Sequence, residues 1–160
     1  MSYQYESAGV EVEWSGLNLS EGWGEDTFLT ITPMGARTEH SAGADGIYTF
    51  SKLADKGCTI EMTFKDVAPI NKKLANILAA QDVIGASLEF APFKVVDTTG
   101  DSVHFLTLNA VLTEVPDISF QAASGERTWK WVAESYLLAE DITTITSALA
   151  SYVKQSSNLV

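Results

Sequence analysis

Apolar and acidic residues alternate through Val10, Glu11, Val12, Glu13 and Trp14. Successive side chains of an extended chain point to opposite faces, so this stretch predicts a strand with one buried face and one face of carboxylates. The cleanest period of two lies at 58–65. Cys58, Ile60, Met62 and Phe64 share one face, and Thr59, Glu61, Thr63 and Lys65 share the other. Shorter β-rich runs cover 28–32, stopped by Pro33, and 47–53. Longer strands are expected at 87–96, interrupted by Pro92, at 103–113 and at 128–138, with a turn at 97–100.

The period changes once. Ile70, Leu74, Ile77 and Leu78 recur at helical spacing between Pro69 and Gly85, with Asn71 read as the N-cap. A second helix is expected from Glu140 onward, with Ile142, Ile145, Leu149, Tyr152 and Val153 on one side. Residues 34–46 are polar and rich in Gly, Ala and Ser. They read as a long loop or the mobile end of a hairpin, and loops of that length in a compact domain are often functional. Residues 1–160 are expected to form one domain of mainly β class. The expected architecture is an antiparallel β-sandwich or barrel with one flanking α-helix and a C-terminal helix.

Charge narrows the function. The net charge of −11 argues against a surface that grips nucleic acid, because phosphate affinity comes from Lys and Arg displacing counterions. Cys58 is the single cysteine, so neither an internal disulfide nor a cysteine zinc cage can form, and a reducing compartment is expected. Glu6, Glu11 and Glu13 stand where a secretion signal needs a basic start and an apolar run. No uncharged apolar stretch approaches the ~18 residues of a membrane span. The expectation is a soluble protein made in the cytoplasm, with no membrane partner.

Candidate chemistry is thin. His40 and His104 are far apart, and no local motif supplies a nucleophile or an orienting partner. Glu11 and Glu13 share a strand face and could raise one another's pKa, but a solvated face is the simpler reading. Residues 97–101 lack the alternating oxygen ligands and closing Glu of a calcium loop. The run 41–46 has two glycines but no following Gly-Lys-Ser/Thr. Trp129 and Trp131 fall on one strand face, and burial suits them better than base stacking because few basic residues surround them. No enzyme activity, cofactor or metal is expected.

A set of short matches in order carries a resemblance. Gly43-Ala44-Asp45-Gly46 is followed by Ser51, Asp55, Lys56 and Gly57, then by Thr59 to Phe64 and Pro69-Ile70-Asn71. Leu74, Leu78 and Ala79 come next, then Pro92-Phe93-Lys94-Val95-Val96-Asp97-Thr98-Thr99-Gly100 and Gly125-Glu126-Arg127-Thr128-Trp129-Lys130-Trp131. Across about 28–138 the chain resembles the tail tube proteins of contractile-tailed bacteriophages. Ala68-Pro69 and Cys58 depart from that pattern, and 1–27 and 140–160 lie outside it.

The resemblance implies a virion structural protein made in the host cytoplasm. Six copies would form a ring, and rings would stack into the inner tail tube through which genome DNA is ejected. Its implied partners are further copies of itself, the sheath, the tape-measure protein, the baseplate and the tail terminator. DNA would pass without specific binding. Glu11, Glu13 and Glu61 are expected to face the lumen and repel phosphate. The 34–46 segment, with Arg37, Glu39, His40 and Asp45, is expected to contact the next ring. A small-ligand-binding β-barrel, or a tube initiator or terminator, are the alternatives.

Overall fold

The computed structural model describes residues 2, 4–85, 90–99, 104–139 and 150. The expected C-terminal helix except Ala150, the first residues of the 87–96 strand, Gly100 and Val103 lie outside the described residues. The rest is mainly antiparallel β, as the alternation predicted. Its strands are β1 (Val10–Trp14), β2 (Leu17–Asn18), β3 (Leu29–Pro33), β4 (Thr38–Ala42), β5 (Tyr48–Lys52), β6 (Cys58–Lys65), β7 (Ala91–Asp97), β8 (His104–Glu114), β9 (Glu126–Ala133) and β10 (Leu137–Ala139). The main sheet runs β2-β1-β7-β8-β9-β6-β3, with β10 also on β8, and β4 pairs with β5 alone.

The sheet is rolled around its core. Neighbouring strands stand about 4.8 Å apart, so β1 and β9, with β7 and β8 between them, would be roughly 14 Å apart in a flat sheet. The indoles of Trp14 on β1 and Trp131 on β9 instead meet edge to face at 5.7 Å. Trp14 Nε1 donates to the Ala110 carbonyl on β8 at 3.1 Å, and Phe93 packs on Trp131 at 5.3 Å. The segment after β2 completes the roll. Leu19 N donates to Val12 O at 2.9 Å, Gly24 N to Thr63 O at 2.9 Å, and Lys65 N to Gly22 O at 2.7 Å. One stretch of chain thus ties β1 to β6 across the gap.

Both strand prolines sit where a missing donor does no harm. Pro33 ends β3, an edge strand. Pro92 lies in a central strand, but beyond the β1–β7 ladder, which stops at Trp14↔Phe93, and where the β7–β8 register shifts between Ala91 and Phe93.

That shift corrects one expectation. The strand expected as one piece at 128–138 is two, β9 and β10. Relative to β7, β8 carries an extra residue at 108–109, so Ala110 and Leu112 face the core on one side of the bulge and Phe105 on the other. β9 and β10 keep one register on β8, with Ala133↔Ala110 and Leu137↔Leu106. They must therefore flip as well, and the break at 134–136 turns Tyr136 onto the core.

The helix α1 (Ile70–Ala79) lies where the spacing put it, burying Ile70 and Leu74. It runs into a wider π turn over Ala80–Ile84, ended by Gly85 at φ +73°. Asn71 is not its cap: the helix starts at Ile70, and no side chain caps it. Asn71 is buried, and its amide works inward. Nδ2 donates to the carbonyls of Lys65 (2.8 Å) and Ala68 (3.2 Å), and Oδ1 accepts from Trp129 Nε1 (2.9 Å). Trp129 and Trp131 are both buried, as expected.

Candidate assembly surface

Strand register sets the outer face of the sheet. Glu13 stands opposite Lys94, Glu11 opposite Val96, and Glu61 between Thr30 and Lys130. Each is out of phase with its buried neighbours, so Glu11, Glu13 and Glu61 share the face away from the core. Lys130 Nζ lies 3.2 Å from Glu114 and 3.6 Å from Glu61. Its hydrogen bond to Glu114 raises its pKa above the ordinary lysine value, and both carboxylates add to the effect. Thr63 and Thr128 join their hydroxyls at 3.0 Å on the same face. Among the described residues the face is thus a mosaic of hydroxyls and apolar side chains such as Val96 and Val132, with five carboxylates, Glu11, Glu13, Glu61, Glu114 and Glu126, against Lys65, Lys94 and Lys130.

The segment expected as a loop or hairpin at 34–46 belongs to an arm. β4 and β5 form a two-stranded ribbon in which every residue is exposed. Arg37 stands at its root, where Leu53 N donates to Arg37 O and the guanidinium lies 4.6 Å above the Tyr136 ring. Asp45 shapes the tip: its Oδ1 accepts from Ile47 N at 3.1 Å, and Gly46 follows at φ +80°. Pairing sorts the two faces. His40 opposes Phe50 and Ala42 opposes Tyr48, whereas Glu39 and Ser41 oppose Ser51 and Thr49. One face is therefore polar. The other carries the His40, Tyr48 and Phe50 rings within 6.1–6.3 Å of one another. Phe50 is 73% exposed and Tyr48 60%.

The sequence reading missed a second apolar surface. The 115–125 connection between β8 and β9 leaves Phe120 91% and Ile118 62% exposed, and Val115 is exposed in the same connection. It is nevertheless anchored. Ser124 Oγ donates to Asp66 Oδ1 at 2.6 Å, Gly125 N to Asp66 Oδ2 at 2.9 Å, and Asp66 N to Gly125 O at 3.1 Å. The Ser124 hydroxyl, ahead of the Gly125 N–H, holds the Asp66 carboxyl below its ordinary value. A run of Val115, Ile118 and Phe120 without strand alternation was the available signal.

The histidines do not meet. His104 is buried in β8, where Nδ1 accepts from Asp97 N at 3.3 Å, and His40 is out on the arm. A cleft of about 680 Å³ opens beside the stacked Trp23 and Phe28 rings and is bordered by Glu25, Asp26 and Asp97. Among the described residues, no group of three or more His, Cys, Asp or Glu could hold a metal ion. Likewise, no helix among them is long and apolar enough to cross a membrane. Cys58 is buried, and that burial pushes its thiol up to about 11.

This architecture is shared with parts of contractile injection particles. The tube terminating cap of the anti-feeding prophage superposes at a TM-score of 0.60 with 11% identity, covering 88% of this chain and 94% of that one. A chain of the PVC sheath–tube complex of an extracellular contractile injection system, in its extended state, matches at a TM-score of 0.61 with 13% identity, over 87% and 93% of the two chains. The sheath/tube terminator of the PVC system matches at 0.58 with 12% identity, over 86% and 97%. No family model matches the sequence, and no curated protein matches it. At such identities the likeness is one of fold.

Proposed function

We propose that the chain is a non-enzymatic structural subunit of a contractile tail or injection particle, and that it builds the inner tube as stacked hexameric rings. The observation that carries this reading is the β4–β5 arm. An isolated two-stranded hairpin is marginal in water, and this one spreads three rings over an exposed face. Such a face calls for a partner. Among the described residues β3 is last in the sheet order and pairs only with β6, so its outer edge offers backbone groups for lateral pairing between copies, and ring closure would remove that edge.

In this reading Glu39 and His40 contact the next ring directly. Arg37 fixes the arm's root, and Asp45 fixes its tip. The face bearing Glu11, Glu13 and Glu61 lines the lumen. Its hydroxyls and modest excess of carboxylates keep passing DNA or a tape-measure protein from adhering. The sheath would surround the tube, and the baseplate and terminator would close its ends.

A tube terminator is the second reading, favoured by the fold shared with a tube cap and a sheath/tube terminator. Electron microscopy of concentrated purified protein separates the two. Long tubes are expected for the first reading and single rings for the second. A protein that stays monomeric at millimolar concentration contradicts both.

A further inference from the structure

The arm and the 115–125 connection sit at opposite ends of one rigid strand pair. β6 and β9 pair from Cys58↔Ala133 through Lys65↔Glu126. The arm roots beside the first pair, where Met34 N donates to Gly57 O. The 115–125 connection enters β9 at the last pair and is pinned there by Asp66. Eight residues of strand, about 25 Å, separate them.

We infer that these two surfaces are the halves of one joint: the aromatic face of the arm of one copy seats on the Val115, Ile118 and Phe120 surface of a second copy. The inference rests on the proposed ring stacking and names its receiving surface. Two different patches at opposite ends of a subunit make a head-to-tail contact, which propagates instead of closing as a twofold dimer would.

The contact area fits that arrangement. His40, Tyr48 and Phe50 against Val115, Ile118 and Phe120 bury on the order of 800 Å² in total. A stable two-body interface needs about 1,200–2,000 Å². One joint is thus too small to hold two free subunits. Several joints acting together between two rings, each at high effective concentration, are not. Stacking is therefore expected only after rings have formed.

The test uses the full chain with Phe50→Asp and Phe120→Asp made separately. Both side chains are exposed, and circular dichroism checks that each variant keeps the wild-type fold. Each variant alone should form rings that fail to stack, a complete loss of tubes in micrographs. Mixed in equal amounts, the two should give ring pairs and nothing longer, because each supplies the half-joint that the other lacks. Tubes formed normally by Phe120→Asp would overturn the inference while leaving the stacking proposal intact. Wild-type rings that never stack would overturn it too, since the arm's occupant is then a different protein. A wild-type chain that forms neither rings nor tubes removes the proposed function and this inference together.

Discussion

The Trp129 indole donates through Nε1 to Oδ1 of Asn71 at 2.9 Å, and the same amide holds the carbonyls of Lys65 and Ala68 through Nδ2. One buried side chain thus fastens the first turn of α1, the end of β6 and the middle of β9. Asn71→Ala should cost about 1–3 kcal/mol, because it leaves the buried Trp129 indole N–H without its acceptor, while the carbonyls of Lys65 and Ala68 keep only their backbone donors, Ala68 N and residue 71 N. Asn71→Asp keeps the acceptor but loses the donors, and should also destabilise the fold. Urea unfolding followed by tryptophan fluorescence measures both. An Asn71→Ala protein as stable as wild type would show that the knot contributes nothing.

Deleting the arm, 38–52, and joining its ends with a short glycine linker should leave a folded subunit that still forms rings. The ribbon contributes no residue to the core, and Arg37, which stacks on Tyr136, is retained. Thermal unfolding should shift by only a few degrees while tubes disappear from micrographs. A deletion variant that still builds tubes would remove the arm from assembly.

Cys58 should resist alkylation at pH 8 for as long as the protein stays folded, because its thiol is pushed up to about 11 by burial. The folded thiol holds its proton more tightly than an unfolded one at 9.0. Its contribution to stability is therefore intact below pH 9 and lost as the pH rises towards 11. Iodoacetamide labelling followed by mass spectrometry, with and without urea, reports the accessibility. Rapid labelling of native protein would contradict the burial of the β6 start.

The Asp66 latch should work in the opposite sense with pH. Its carboxyl is held below the ordinary 3.8 by the Ser124 hydroxyl, so the loop stays pinned above that value and is released only as the pH falls through the lower folded value. Asp66→Asn should free 115–125 at neutral pH. Limited proteolysis should then cut near Phe120 several times faster than in wild type, with little change in global unfolding. Equal cleavage rates would show that the latch does not restrain the loop.

Much of this architecture was legible in the chain. Val10–Trp14 and Cys58–Lys65 alternate strictly because one face of each packs the core and the other meets water, which is the situation in which period two is unambiguous. The helix between Pro69 and Gly85 was legible for the same reason. What failed was the part decided by distant neighbours. The break in 128–138 is imposed by the extra residue that β8 carries against β7, and nothing within 128–138 announces it. Asn71 matched a capping residue locally, yet Trp129, far along the chain, turned it inward. The surface reading was similarly partial. Arg37, Glu39, His40 and Asp45 do fall on one projecting feature, but its aromatic face comes from Tyr48 and Phe50, which sequence alone had given to an ordinary strand. Phe120 drew no notice because apolar residues in a polar stretch carry no period.

The β6–β9 ladder has a mechanical corollary. Its eight pairs run without a shift, whereas β8 slips against β7 and against β9. Tension applied at the arm root and at the 115–125 turn pulls these two strands along their length. Every cross-strand bond then carries load in shear, and none can peel open singly. Along this axis the unshifted ladder resists extension as a tie rod does, while the bulged strand beside it lacks that continuous register.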